Sequence, residues 1–99
     1  MTLHLIARSI ETNELVTLLN ACIQPGDTCL FIQSGVYQTL NQQFDHLFVS
    51  LDTQEVDFAV LTDHVLARGL ADLLAPTVRS IDYPEFVKLS ADHEKCITW

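Results

Sequence analysis

Gly26-Asp27-Thr28-Cys29-Leu30-Phe31-Ile32-Gln33-Ser34-Gly35-Val36-Tyr37 is the stretch whose reading decides the fold. Pro25-Gly26-Asp27 is a turn signal. Residues 28–32 then form an apolar run too short for a helix and rich in strand formers, which reads as a strand buried on both faces. Such a strand belongs inside a parallel sheet with helices on either side. Gln33, Ser34 and Gly35 follow its carboxyl end, on the edge where α/β folds place their sites.

Upstream of this strand, residues 3–6 are a short apolar strand candidate. The polar set Ser9, Glu11, Thr12 and Asn13 marks a helix start, with Thr12 as the expected N-cap. Leu15, Leu18, Leu19 and Cys22 fall at i, i+3, i+4 and i+7 and lay one apolar stripe on a helix that stops before Pro25. Downstream, a polar segment over residues 38–43 leads to Phe44, Leu47, Phe48 and Leu51 on a second helical face, and residues 52–55 read as a polar loop.

Residues 56–61 are strand-like and end at Thr62-Asp63, where a helix can be capped. Val65, Leu66, Leu70, Leu73 and Leu74 are its expected buried face, interrupted by Gly69, a point of weakness or close packing, and closed by Pro76. Residues 78–81 fit a last strand, and Asp82-Tyr83-Pro84-Glu85 opens a helix packed through Phe86, Val87 and Leu89. Residues 91–99 show no clear period. The reading is a single α/β domain over residues 1–99, with a mainly parallel sheet of four to five strands, helices on both faces and right-handed crossovers.

Composition narrows function. A 99-residue chain has room for one core. With 48% hydrophobic and 18% charged residues its solvated surface is lean, which favours association with a partner or a second copy. Five basic against thirteen acidic residues give a net charge of −8, the wrong sign for gripping a nucleic-acid backbone. No apolar run approaches the ~18 residues of a membrane span, and residues 1–6 lack a basic leader, so the expectation is a cytoplasmic protein. Cysteines at 22, 29 and 96 have neither CxxC nor zinc spacing and read as free thiols.

The residues that could carry chemistry are few. Cys22 is a candidate sulfur acceptor, because a thiolate can hold or attack a persulfide. Its bland reading is a small hydrophobe closing a leucine stripe, near a helix end whose dipole opposes a thiolate. Cys29 lies in the buried run and is structural, and Cys96 reads as a surface thiol between Lys95, His93, Asp92 and Glu94. The histidines at 4, 46, 64 and 93 have no metal-ligand spacing, and Gln33-Ser34-Gly35 lacks the glycine pattern and lysine of a phosphate loop. Neither a metal nor a cofactor is therefore expected. Gly35 serves a turn, Asp63 and Asp82 read as helix caps, and Arg8, Arg68 and Arg79 as partners for local carboxylates or a neighbouring subunit.

His4 with Arg8-Ser9, Gly26-Asp27 leading to Gln33-Ser34-Gly35-Val36, Ala67-Arg68-Gly69-Leu70, Ile81-Asp82-Tyr83 with Phe86-Val87, and a terminal Trp99 together resemble the TusB/DsrH family. The resemblance runs the length of the chain and rests on order and spacing, since each motif is short. It implies a DsrE/DsrF/DsrH-like α/β subunit in a heterohexamer with related TusC/DsrF-like and TusD/DsrE-like subunits. Such a complex relays persulfide sulfur toward 2-thiolation of the tRNA wobble uridine through a downstream sulfur-accepting protein, or, in the Dsr version, serves sulfur oxidation. The family's principal sulfur-accepting cysteine belongs to the TusD/DsrE companion. Cys22 matches a cysteine found near the end of the first helix in some DsrH-type members, and Ser34 stands where many relatives carry an acidic residue.

Three readings follow: an assembly subunit of a sulfur relay that does not itself perform transfer, a carrier in which Cys22 accepts sulfane sulfur, or a homo-oligomeric module binding a small ligand near Ser34 and Gly35.

Overall fold

The computed structural model describes residues 1–51 and 55–99, so the expected polar loop lies, except for Glu55, outside the described residues. Five strands form one parallel sheet: β1 (Thr2–Ile6), β2 (Thr28–Phe31), β3 (Asp57–Leu61), β4 (Arg79–Ile81) and β5 (Lys95–Thr98), in the spatial order β4-β3-β2-β1-β5. The decisive apolar run is β2. It is buried along its whole length at the centre of the sheet, with Leu3 beside Thr28 on one flank and Thr28 beside Asp57 on the other.

Helices α1 (Thr12–Cys22) and α2 (Asn41–Ser50) cover one face. There Leu15, Leu19, Phe44 and Leu47 pack on Ile6, Phe31, Phe58 and Val60. Phe44 meets Phe58 edge-on at 5.1 Å and Phe31 at 6.4 Å, so one aromatic side chain ties α2 to the two central strands. On the other face Leu3, Leu30, Ala59, Leu61 and Ile81 lie under Phe86 and Leu89 of α4 (Tyr83–Asp92). A short α3 (Thr62–Ala67) and a 3-10 helix, Gln33–Thr39, occupy the carboxyl edge. The α/β reading with helices on both faces holds, with five strands.

Several local expectations are corrected. Thr12 is the first residue of α1, and the cap is Glu11, whose carboxylate accepts from the Asn13 and Glu14 amides. Glutamate is a poor N-cap by rank, but its longer side chain reaches two free helix amides at once.

The expected long helix after β3 ends at Ala67. Gly69, at φ +66°, closes it, with the Gly69 amide on Leu66 O and the Leu70 amide on Val65 O, the two bonds of a Schellman end. Nothing lies within 4 Å of a Cβ placed on Gly69, so its role is conformational and not close packing. Leu73, beyond the end of the helix, is exposed, and Leu66, inside α3 next to buried Val65, faces outward, so neither is part of the buried face. Gly35 is needed for another reason: a Cβ there would overlap the Ile6 carbonyl, because the 3-10 helix sits directly on the end of β1.

The last correction concerns the tail, where residues 95–98 form the edge strand β5 and pair in parallel with β1. All four are exposed, so there is no inward-outward alternation for a periodicity argument to find.

Candidate functional site

A buried polar network runs from the amino edge of the sheet, at Asp27, through His4 in the middle of β1 to Trp99 beyond the carboxyl end of β5. His4 lies within β1, fully buried, and its Nε2 is 3.0 Å from Asp27 Oδ2. Its Nδ1 faces the indole N–H of Trp99 at 3.3 Å, with the two ring planes 15° apart. An indole N–H can only donate, so Nδ1 accepts, the ring proton sits on Nε2, and a neutral imidazole donates to the carboxylate.

Asp27 is buried in the turn before β2 and also accepts the Thr2 amide at 2.9 Å and the Gln24 amide at 3.0 Å. Burial alone would raise its pKa, but the Thr2 amide, His4 and the Gln24 amide together hold it below the ordinary carboxylate value. The network joins β1, the β2 turn and the residue after β5.

Next to this network is a cavity of about 320 Å³ lined by Met1, Cys22, Gln24, Asp27, Lys95 and Ile97 among others. Cys22 is the last residue of α1, and it is exposed. Because α1 runs back against the strands, its end lies at the amino edge, opposite the edge where Gln33, Ser34 and Gly35 stand. The partial negative charge of a helix carboxyl end disfavours a thiolate there, and the cavity is lined by the carboxylates of Asp27 and Glu94 as well as by the Lys95 cation. Cys29 is buried, and burial, with Asp27 and Asp57 adding to it, pushes its thiol far up. It is a core residue. Cys96 is exposed on β5.

The carboxyl edge gathers residues that the sequence offered only as separate fragments. Gln33 adopts φ +50°, an uncommon left-handed conformation for a residue with a side chain, and its amide donates to His64 Nδ1 at 2.7 Å. His64 Nε2 lies 3.1 Å from Tyr83 Oη. Exits from β2, β3 and β4 are thereby linked through one imidazole.

Arg68 donates from Nη1 to the His64 carbonyl at 3.3 Å, not to the expected carboxylate. Arg79 does pair with carboxylates, at 2.6 Å from Asp57 and 3.4 Å from Glu85. Asp82 caps α4 by accepting the Glu85 amide, as expected, whereas Asp63 lies in the first turn of α3 and makes no cap bond.

Sequence reasoning named His4, Asp27 and Trp99 as separate markers and missed that they meet. It passed over His64 and Tyr83 as a pair, since residues 19 apart carry no motif. Spacing could flag only that each follows a strand. His93 is likewise structural, with Nδ1 on the Leu89 carbonyl at 2.7 Å and Nε2 by Thr28 Oγ1 at 2.9 Å. Among the described residues no group of three or more His, Cys, Asp or Glu gathers as a metal site, and no helix is long and apolar enough to cross a membrane.

Comparison with known proteins places this geometry in a family. The chain is 29% identical over 97 residues to Protein TusB of Escherichia coli O81 (strain ED1a), a match covering 98% of this chain and 99% of the relative. It is 28% identical, with the same coverage, to Protein TusB of Shigella boydii serotype 18 (strain CDC 3083-94 / BS512). In fold it is similar to the crystal structure of the ychN protein from E. coli, with a TM-score of 0.74 at 13% identity, covering 100% of this chain and 99% of that one. The family described as "DsrH like protein" matches residues 8–96, and the chain belongs to it.

Proposed function

We propose that this chain is a subunit of a cytoplasmic sulfur-relay complex. In it, persulfide sulfur moves toward 2-thiolation of the tRNA wobble uridine, with TusC/DsrF-like and TusD/DsrE-like companions in a heterohexamer. The family and the full-length likeness to proteins named TusB support the relay reading. This chain serves assembly and leaves transfer to a companion.

The observation that carries the assembly role is the placement of the three thiols. One is buried and held protonated, one ends a helix whose dipole disfavours the thiolate, and one lies on an exposed edge strand. Exposed Val49, Leu66, Leu73 and Val87 on a chain of charge −8 agree with a surface meant for protein partners and not for RNA.

A second reading has its own support: Cys22 opens on the amino-edge cavity with Lys95 on its wall, which would suit a sulfur carrier. One experiment separates the two. The complex is reconstituted with both companion chains and exposed to a cysteine desulfurase and cysteine, and intact mass is read on each chain. The assembly reading expects a +32 Da gain, the mass of one sulfur, only on a companion, unchanged by Cys22→Ser. A gain on this chain that Cys22→Ser removes overturns it in favour of the carrier.

A further inference from the structure

The carboxyl edge carries a hydrogen-bond chain of fixed direction that ends on an outward donor. The Gln33 amide can only donate, so His64 Nδ1 is an acceptor and the ring proton is on Nε2. That proton is committed to Tyr83 Oη. A phenol that accepts there still has its own O–H to give, and among the described residues no hydrogen bond takes it. Tyr83 is 46% exposed. The chain is anchored at Gln33, whose left-handed backbone the His64 contact holds in place.

The surroundings select what this donor can receive. Arg68 folds back one turn onto the backbone carbonyl of His64, and among the described residues it makes no ion pair, so the helix that carries His64 also carries a guanidinium bound there only to a carbonyl. Tyr83 lies between the ring of His64 at 6.1 Å and that of Phe86 at 6.5 Å. Of the carboxylates at this edge, Glu85 faces Arg79, while Asp82, which caps α4 through the Glu85 amide, and Asp63 in the first turn of α3 keep their charge and repel a multiply charged ligand. One phenol and one guanidinium beside aromatic rings suit a singly charged, polarisable anion. A phosphate would want several backbone amides or a lysine.

We propose that Tyr83, oriented by His64 and Gln33 and assisted by Arg68, receives the terminal sulfur anion of a persulfide. The inference rests on the sulfur-relay reading for the identity of the anion and on the geometry for the site. The persulfide can come from a companion's cysteine or from a small molecule.

The test has two arms. In the first, the full chain is titrated with methanethiosulfonate, a singly charged sulfur anion, and with methanesulfonate, its all-oxygen counterpart, while NMR follows the His64 ring and the Gln33 amide. Saturable shifts with the sulfur anion are expected, weakened about tenfold by Tyr83→Phe, the loss of one bond to a charged group. His64 should keep its Nε2–H tautomer in that variant. Equal response to both anions, or equal affinity in Tyr83→Phe, overturns the site. Arg68→Gln, which leaves the phenol in place, should weaken binding by a smaller factor, and no effect of either substitution has the same adverse meaning.

In the second arm a persulfide-loaded companion is mixed with wild-type or Tyr83→Phe chain and its sulfur loss is timed. A changed rate identifies the companion as the source, and an unchanged rate with intact binding in the first arm identifies a small persulfide. A companion that never loads sulfur refutes the relay reading, and the first arm still judges the site.

Discussion

Asp27→Asn tests whether the buried network that starts at the amino edge is locked by its far end, Trp99. Asp27 accepts three donors: the Thr2 amide, the Gln24 amide and His4 Nε2–H. Asparagine can accept on one oxygen only and must turn an NH₂ group toward another donor. His4 could relieve this by moving its proton to Nδ1, but the Trp99 indole already points an N–H at Nδ1. The tautomer is therefore held from the opposite side.

Bonds to a charged group contribute about 1.5–3 kcal/mol each and are not additive, so Asp27→Asn should destabilise by about 3 kcal/mol. Trp99→Phe, which removes the indole donor, should cost about 1 kcal/mol beyond any packing loss. In the Trp99→Phe background His4 is free to switch, and Asp27→Asn should then cost about 1 kcal/mol less than in the wild type. Urea unfolding of the four proteins at pH 7 gives the cycle, and the imidazole ¹⁵N shifts report the tautomer directly. Costs that add to within about 0.5 kcal/mol would refute the lock, because independent sites behave that way.

The same carboxylate sets an acid limit. Its folded pKa lies below the ordinary value, so the stability it contributes is present above about pH 3.9 and is lost as pH falls through the lowered folded value. Urea midpoints measured from pH 6 to pH 2 should fall more gently in Asp27→Asn than in the wild type. Gly35→Ala and Gly69→Ala should separate two uses of glycine. The first drives a methyl into the Ile6 carbonyl and should cost about 3 kcal/mol or more, the second only about 1 kcal/mol for an unfavourable φ in open space, both read from denaturant midpoints. Alkylation followed by mass spectrometry should modify Cys22 and Cys96 readily in the native chain. Cys29 should react only through unfolding, and more than about a thousandfold slower for a domain of ordinary stability.

What the sequence made legible follows from how each signal is produced. The run at residues 28–32 was readable because a strand buried on both faces needs apolar residues without interruption, and Phe44, Leu47 and Leu51 because a helix on a sheet needs them at helical spacing. β5 was illegible because an exposed edge strand is specified by its backbone ladder with β1, which leaves no side-chain pattern. The end of α3 was misjudged because leucines at plausible spacing continued past Gly69, whose left-handed conformation ends the helix before exposed Leu73, while Leu66 is exposed because it stands next to buried Val65 within α3 and faces outward. The site residues were visible singly and not as clusters. His4 and Trp99 are brought together by the parallel pairing of β5 on β1, and His64 and Tyr83 by the order of β3 and β4 in the sheet.

This topology also bears on how labour is divided between the two edges. In a parallel sheet every strand exits at the same side, so the Gln33, His64 and Tyr83 chain stands at the carboxyl edge, while α1, running back, delivers Cys22 to the amino edge. The two are separated by the length of a strand, about 16 Å for five residues at ~3.3 Å each. A persulfide on Cys22 reaches only a few ångströms and cannot touch Tyr83 of the same chain. Sulfur that visits the carboxyl edge must arrive on another carrier, and a role for Cys22 would be a separate event at the cavity beside Lys95. If Cys22→Ser and Tyr83→Phe both slow sulfur flow in the assembled complex, their effects should combine as those of independent sites. Coupling between them above about 0.5 kcal/mol would mean that the sheet does not keep its edges apart in the working assembly.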